Sequence, residues 1–418
     1  MTRTMKDSCV EWIGQIPEKW NVKPLYCFFN ERKNKNLNGK ETNLLSLSYG
    51  KIIRKNINTA EGLLPESFNT YNIIEAGDIV FRLTDLQNDK RSLRTGLAKE
   101  HGIITSAYVT VKPIKNLINS FFHYLLHSYD VTKVFYNMGN GVRQGLTFDE
   151  LKKLLLLIPS LSEQQAIADY LDDKCAQIDN ITATINEQID VLKQYKKSVI
   201  TEAVTKGLDP NAPMKDSGVE WIGQIPEHWE VIRLKYVMDN FDSQRKPIEA
   251  QKRSQEGEFL YDYYGASGVI DKINDYIFDK PALLIGEDGA NLLLRNLPLI
   301  YIATGKYWVN NHAHILRPKN NLNFYYAAYL LEALDYTVYI TGSAQPKLSQ
   351  EKLNSVKILV PALSEQQAIA DYLDDKCAQI DAVIVDKQAQ LETLAAYKKS
   401  LIYEYVTGKK SVPGFEEA

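Results

Sequence analysis

Residues 82–94, RLTDLQNDKRSLR, interleave Arg, Lys, Asn and Gln with few apolar side chains. Side chains of these types hydrogen-bond well to the base edges and phosphates of a duplex. Gln87 and Asn88 carry amides that can pair bidentately with adenine, Arg91 and Arg94 could pair with guanine or hold phosphate, and Arg82 and Lys90 are further DNA-binding candidates of the same segment. A second segment, GNGVRQG at 139–145, presents Arg143 and Gln144 among three glycines that would let the backbone come close to DNA. Past residue 239 the corresponding candidates are Tyr263, Tyr264 and Ser267 in YYGASG, Lys306 after Gly305, and Gln345 and Lys347 in TGSAQPK at 341–347. For each residue the competing account is a solvated turn, or a phosphate contact that carries no sequence information.

Other chemistries have weaker support. His312 and His314 alternate in a strand-like stretch and so share a face, but no carboxylate or cysteine follows closely in sequence to complete a metal site. Glu287 and Asp288, between Gly286 and Gly289, read as a turn after a buried strand rather than as a catalytic pair. Cys9, Cys27, Cys175 and Cys377 show no CxxC spacing, so free thiols at core or seam positions are expected. The Gly-Lys pairs at Gly39, Gly50, Gly305 and Gly408 lack the upstream glycine of a phosphate-binding loop, which argues against ATP hydrolysis by this chain.

The elements that must position these residues are written twice. LSEQQAIADYLDDKCAQID occurs at 161–179 and again, unchanged, at 363–381; MKDSCVEWIGQIPEKW at 5–20 returns as MKDSGVEWIGQIPEHW at 214–229. Each helical copy follows a proline, Pro159 or Pro361, and offers a capping box, Ser162 with Gln165 or Ser364 with Gln367; it runs to Gly207 or Gly408 without internal Pro or Gly. About 43 such residues make a helix roughly 65 Å long. Leu171, Ile178, Ile185, Leu192 and Val199 recur every seventh residue, with Ile181, Ile189 and Tyr195 between them. The second copy places Leu373, Ile380, Leu394 and Leu401 in the same way, with Val383, Ile384, Leu391 and Tyr397 between, and Lys387 interrupts the seam. A stripe this narrow suits a coiled coil, each helix being the other's obvious partner, and a two-fold axis crossing between them requires an antiparallel pair. Two independent amphipathic helices on separate domains are the competing arrangement.

Between the repeats lie variable regions of mixed α/β character. Strands are expected at 78–83, 105–111, 282–285, 307–309 and 313–316, and the aromatic amphipathic stretches at 120–138 and 324–340 read best as helix, with strand as the alternative at their ends. The net charge of −3 averages unlike parts. Residues 30–160 hold 18 Lys and Arg against 12 Asp and Glu, whereas 239–360 hold 13 against 14. Only the first region carries an evident electrostatic footprint for phosphate; the second must place its cations locally. No apolar run approaches the roughly 18 residues needed to span a bilayer, and MTRTMKDSCVEW has no apolar core for a signal peptide, so a cytoplasmic location without membrane contact is expected.

These blocks, together with YYGASGVIDKINDYIF, LLIGEDGAN, NNHAHILRP and QPKLSQEKLNSVKILVPALSEQQ, resemble the specificity (S, HsdS) subunit of type I restriction-modification systems over essentially the whole chain. The resemblance implies a non-catalytic subunit that reads double-stranded DNA with a bipartite target. It also implies two modification subunits that methylate adenine with S-adenosylmethionine and, through them, ATP-using restriction/translocase subunits; no cofactor would be bound by this chain. A methyltransferase of that class would need its own cofactor loop and an NPPY-like tetrapeptide, and neither string occurs.

The expected fold class is mixed α/β, with two globular target recognition domains joined by two long antiparallel helices in a pseudo-two-fold coiled coil. The first recognition domain with its leading block would occupy 1–160, the first helix 161–207, the linker, repeated block and second recognition domain 208–360, and the second helix with its tail 361–418. Half-sites about one helical turn apart, roughly 34–36 Å, fall within reach of such a frame. The alternatives are a stand-alone restriction-modification enzyme and a coiled-coil scaffold without sequence preference.

Overall fold

The computed structural model describes residues 3–58, 65, 67–84, 86, 93–138, 145–253, 259–342 and 345–415. The chain forms two compact units, 1–185 with 389–418 and 186–388. The first long helix, Leu161–Lys206, gives its beginning to one unit and its end to the other, as does the second, Leu363–Val406.

The two variable regions share little sequence but build the same sheet. In the first unit the antiparallel order is Phe29–Glu31, Val109–Pro113, Ile79–Phe81, Thr95–Leu97; in the second it is Met238–Asn240, Ala313–Pro318, Ala282–Gly286, Ile300–Ala303. Apolar β-branched runs in the middle strands favour this layout because both faces are covered. A helix packs on each sheet, Asn119–Val131 burying Phe121, Phe122, Leu125 and Leu126, and Phe324–Ala333 burying Tyr326, Leu330 and Leu331. A two-stranded ribbon then delivers the chain to each long helix: Asn21–Pro24 with Leu155–Ile158, and Glu230–Arg233 with Lys357–Val360.

Three local expectations differ from the structure. The strand expected at 105–111 begins only at Val109, because the Thr105 hydroxyl and carbonyl accept from the Ala107 and Tyr108 amides and hold a turn there. Both aromatic helices stop early, at Val131 and Ala333, and short 3-10 turns cover Val134–Asn137 and Thr337–Tyr339; Lys133 in the left-handed region and the Asp335 cap on the Thr337 amide mark the breaks. Ser162 and Ser364 lie inside the first helical turn rather than capping it. The Glu163 amide donates to Ser160 Oγ at 3.3 Å, and the Ala362 carbonyl takes the Glu365 and Gln366 amides. Gln165 and Gln367 bond forward to Asp169 and Asp371 instead of back to a cap.

The unchanged repeat serves as a clasp. Gln164 folds back so that its amide donates to the Pro159 carbonyl at 3.0 Å while its oxygen accepts the Ile118 amide; Gln366 does the same for Pro361 and Asn323. Each Gln thus satisfies two backbone groups that burial would otherwise orphan. Beside them Glu163 accepts the Trp20 indole N–H at 2.8 Å, and Glu365 accepts that of Trp229 at 3.0 Å. The duplicated tryptophan and the duplicated helix start recur together because they bond to each other.

Each unit closes on a helix end. Gly408 (φ +70°) sits so close to Pro17 that a Cβ would lie 2.4 Å from its Cδ, whereas a Cβ on Gly207 (φ +74°) would come no nearer than 3.2 Å to Glu365 and Trp229. Gly207→Ala should therefore cost about 1 kcal/mol for the left-handed backbone alone, and Gly408→Ala more than about 2 kcal/mol, since Pro17 must also move. Denaturant unfolding of the two variants measures the difference, and equal losses would contradict the packing at Pro17.

Within each unit the helices run antiparallel. In the first, the Tyr170 and Tyr405 hydroxyls lie 3.2 Å apart and Asp179 pairs with Lys398 at 2.5 Å; in the second, Lys387 donates to Gln188 at 2.6 Å and Lys196 pairs with Asp381 at 2.6 Å. Lys196 and Lys398 are equivalent repeat positions, as are Asp179 and Asp381, so one ion pair is made twice with the helices exchanging roles. Lys387 interrupts the apolar seam but finds a partner across it. Leu171, Ile178, Ile185, Leu373 and Ile380 are buried, and Leu192, Leu391 and Leu394 are half-buried. Four residues expected in the stripe instead face outward: Ile181, Tyr195, Val383 and Tyr397 are each about half exposed. An antiparallel pair covers only the narrow face between its helices, and these four lie beside it.

Candidate nucleic-acid interface

At the exit of the middle strand of each sheet, three segments meet. In the first unit, Ile79–Phe81 leads into the loop that starts at Arg82. The Leu146 amide, just past the glycine-rich loop, donates to the Leu83 carbonyl at 2.9 Å. A hairpin, Leu45–Ser48 with Lys51–Arg54, brings its Tyr49-Gly50 tip to the same place, where a Cβ on Gly50 would lie 3.1 Å from Leu93.

The second unit repeats the arrangement. The Leu348 amide donates to the Glu287 carbonyl at 2.8 Å, and the Gly289 amide to the Pro346 carbonyl at 3.0 Å, tying the turn after Ala282–Gly286 to 341–347. The tip of the hairpin Tyr261–Gly265 with Gly268–Ile273 abuts Gly286 so tightly that a Cβ there would be 2.7 Å from the Ala266 oxygen. Backbone approach this close leaves room only for glycine.

The candidates fall unevenly around these junctions. Gln87, Asn88, Lys90, Arg91, Arg143 and Gln144 lie outside the described residues. Arg82 is half-buried at the loop entrance, and its amide donates to the Arg94 carbonyl. Arg94 is 0 % exposed, which corrects its reading as a DNA reader. Its guanidinium bonds to the Arg82 and Thr84 carbonyls and to the Tyr136 hydroxyl, so it braces the loop from beneath. Tyr263, also 0 % exposed, is corrected likewise: its hydroxyl accepts the Ile248 amide and Arg253 covers its ring. Tyr264 is buried against Tyr307.

Ser267, Gln345 and Lys347 are exposed at the junction. Lys306 is exposed but lies at the other end of the sheet, because Ala303 pairs with Ala282 and Lys306 follows that pair; its ammonium sits 4.4 Å over the Tyr276 ring.

The structure also brings together residues that sequence spacing kept apart. Glu287 pairs with Arg245 at 2.6 Å and with Lys347 at 3.1 Å, and Asp288 with His312 at 2.8 Å. Burial works to raise the Glu287 carboxyl, but Arg245, His314 and Lys347 together hold it below its ordinary value. His314 is fully buried; its Nδ1 meets Asp242 at 2.5 Å and its Nε2 meets the Leu348 carbonyl at 2.7 Å, so both ring nitrogens face acceptors and neither is open to a metal. Among the described residues no group of three or more His, Cys, Asp or Glu is placed to hold a metal ion. The second region thus matches cation to carboxylate locally, a physical account of its near-neutral charge. Arg245 and the Tyr49-Gly50 tip escaped the sequence reading. A two-residue turn between LLSLS and KIIR was a hairpin signal that could have found the tip.

Residues 17–191 and 226–393 each match the family model of the type I restriction modification DNA specificity domain. The chain belongs to that family. Two type I specificity domains therefore stand in one polypeptide, one for each of the two sheets. The chain is similar to the "Putative type I restriction enzyme MjaX specificity subunit" of Methanocaldococcus jannaschii, 27% identical over 423 residues that cover 95% of both chains. It is also similar to the type I restriction enzyme MjaVIII specificity subunit of the same organism, 27% identical over 348 residues covering 74% of both.

Among solved structures, a chain of a type I R-M system described for its complex assembly and conformational transition superposes with a TM-score of 0.70 at 15% identity, covering 94% of this chain and 99% of that one. The HsdS subunit of Thermoanaerobacter tengcongensis superposes with a TM-score of 0.50 at 17% identity, covering 94% and 98%. At such identities the type I likeness carries the fold. The specificity-domain matches make DNA recognition the role of this chain. No helix among the described residues is long and apolar enough to cross a membrane.

Proposed function

We propose that this chain is the non-catalytic reading subunit of a type I restriction-modification complex, each unit's three-segment junction reading one half of a bipartite duplex target. The observation that carries this reading is the repetition of one junction, at the exit of the same strand, with different side chains in the two units. Constant framework with changed tips is what two independent readers require, since base edges are told apart by the side chains presented to them. The long helices set the unread spacer. Ile181 with Tyr397 in the first unit, and Val383 with Tyr195 in the second, leave apolar surface for the helices of two modification subunits. Those subunits use S-adenosylmethionine, and restriction/translocase subunits joined through them use ATP.

Replacing residues 239–360 by the corresponding region of another member of the family tests the division of labour. Methylated-adenine mapping in the host should show one half-site changed and the other, with the spacer, retained. A change in both half-sites would overturn it. So would methyl transfer by the purified chain alone, given S-adenosylmethionine and DNA.

A further inference from the structure

We infer that Tyr49 is a DNA-contacting residue of the first half-site, its ring packing on a nucleotide of the duplex. This inference rests on the proposed reading of the junctions. Tyr49 is 80 % exposed, at the tip of the hairpin Leu45–Ser48 with Lys51–Arg54, where Ser48 pairs with Lys51. Its φ of +45° is a left-handed backbone that a tyrosine adopts only against steric resistance, and Gly50 follows at +78°. Two positive φ values in a two-residue loop define the turn that Asn-Gly fills most readily. Among the described residues no hydrogen bond or ring contact rewards a tyrosine there: its side chain is exposed while the backbone beneath it is strained.

The location gives the ring its occupant. Gly50 packs on Leu93, next to the last residue of segment 82–94, so the tip stands beside the described end of the segment whose sequence is richest in duplex-binding side chains. In the second unit the equivalent tip is Ala266-Ser267, packed on Gly286, with no aromatic ring. A phenol ring offers a flat apolar face to a base or sugar and no charge to a phosphate. Its contact should therefore add affinity without adding to the salt dependence, which follows the number of phosphates neutralised.

The test uses the chain assembled with its modification subunits. Its probes are a duplex carrying the target mapped from methylated adenines and a second duplex with only the first half-site scrambled. Tyr49→Asn relieves the turn, so the variant should fold with an unchanged or higher unfolding midpoint. It should bind the target about ten-fold more weakly, with the salt slope unaltered. Tyr49→Phe keeps the ring and should bind as the unchanged chain does. The scrambled duplex should not distinguish the three proteins. Equal target affinity for Tyr49→Asn and the unchanged chain overturns the inference, as does a Tyr49→Phe variant as weak as Tyr49→Asn. Failure of the underlying reading looks different: the unchanged complex would then bind target and scrambled duplexes alike.

Discussion

Trp20→Ala should destabilise the first unit by about 3–5 kcal/mol, the range for removing a large buried aromatic side chain. Trp20 is fully buried, its ring forms a T-shaped pair with Phe121, and Arg3 lies over the ring. Its indole N–H bonds to the buried Glu163, which Arg3 also engages, and Gly408 packs against the ring. One side chain therefore joins the start of the first long helix to the end of the second. Truncation opens a cavity and takes a donor from a buried carboxylate, and both losses count in the same direction. Denaturant unfolding should show the transition of the first unit shifted and that of the second retained. Trp229→Ala should give the reverse with a loss of similar size, because Glu365 keeps His228 at 2.9 Å much as Glu163 keeps Arg3. A loss below about 1 kcal/mol at Trp20, the range of ordinary surface substitutions, would contradict the clasp.

Asp242→Ala should cost the second unit about 3–5 kcal/mol by stranding the polar groups of a buried pair. Asp242 is buried and holds His314 Nδ1 at 2.5 Å and the Ile315 amide at 2.9 Å, with Arg245 nearby. Burial works to raise its carboxyl, but the hydrogen bonds from His314 and Ile315 and the charges of His314 and Arg245 outweigh it and hold the group below its ordinary 3.8. A depressed carboxylate contributes stability that is fully present above that ordinary value and is lost as pH falls through the folded one. The gap between the unchanged chain and Asp242→Ala should therefore be widest near neutral pH and narrow only below about pH 4. Binding should suffer too, since His314 Nε2 anchors the Leu348 carbonyl at the foot of 341–347. Discrimination at the second half-site should fall while the first is retained. A gap that persists unchanged to pH 3 would contradict the assignment.

Much of the frame was legible because its signals are local. Heptad spacing reports a helix face directly, so the antiparallel pair and its buried positions Leu171, Ile178, Leu373 and Ile380 followed from periodicity and from duplication alone. The same spacing could not say where the covered face ends, so Ile181 and Tyr397 read as seam although the partner helix leaves them exposed.

The reading surface behaved differently. Arg94 and Tyr263 have the residue types of DNA readers, yet both are buried as braces, while Tyr49, read as nothing, stands in solvent on a turn packed against Leu93. A residue's type states which bonds it can make; burial depends on which distant segments fold over it. The sequence by itself determined that there are two recognition regions on a doubled helical frame, because a repeat is legible as identity between two stretches of chain and a hydrophobic period is written within a few residues. Only the tertiary structure decided which side chains reach the junctions. Glu287 with Arg245, Asp288 with His312, and Gly50 with Leu93 are separated by dozens of residues, and strand register, not spacing along the chain, brings them together.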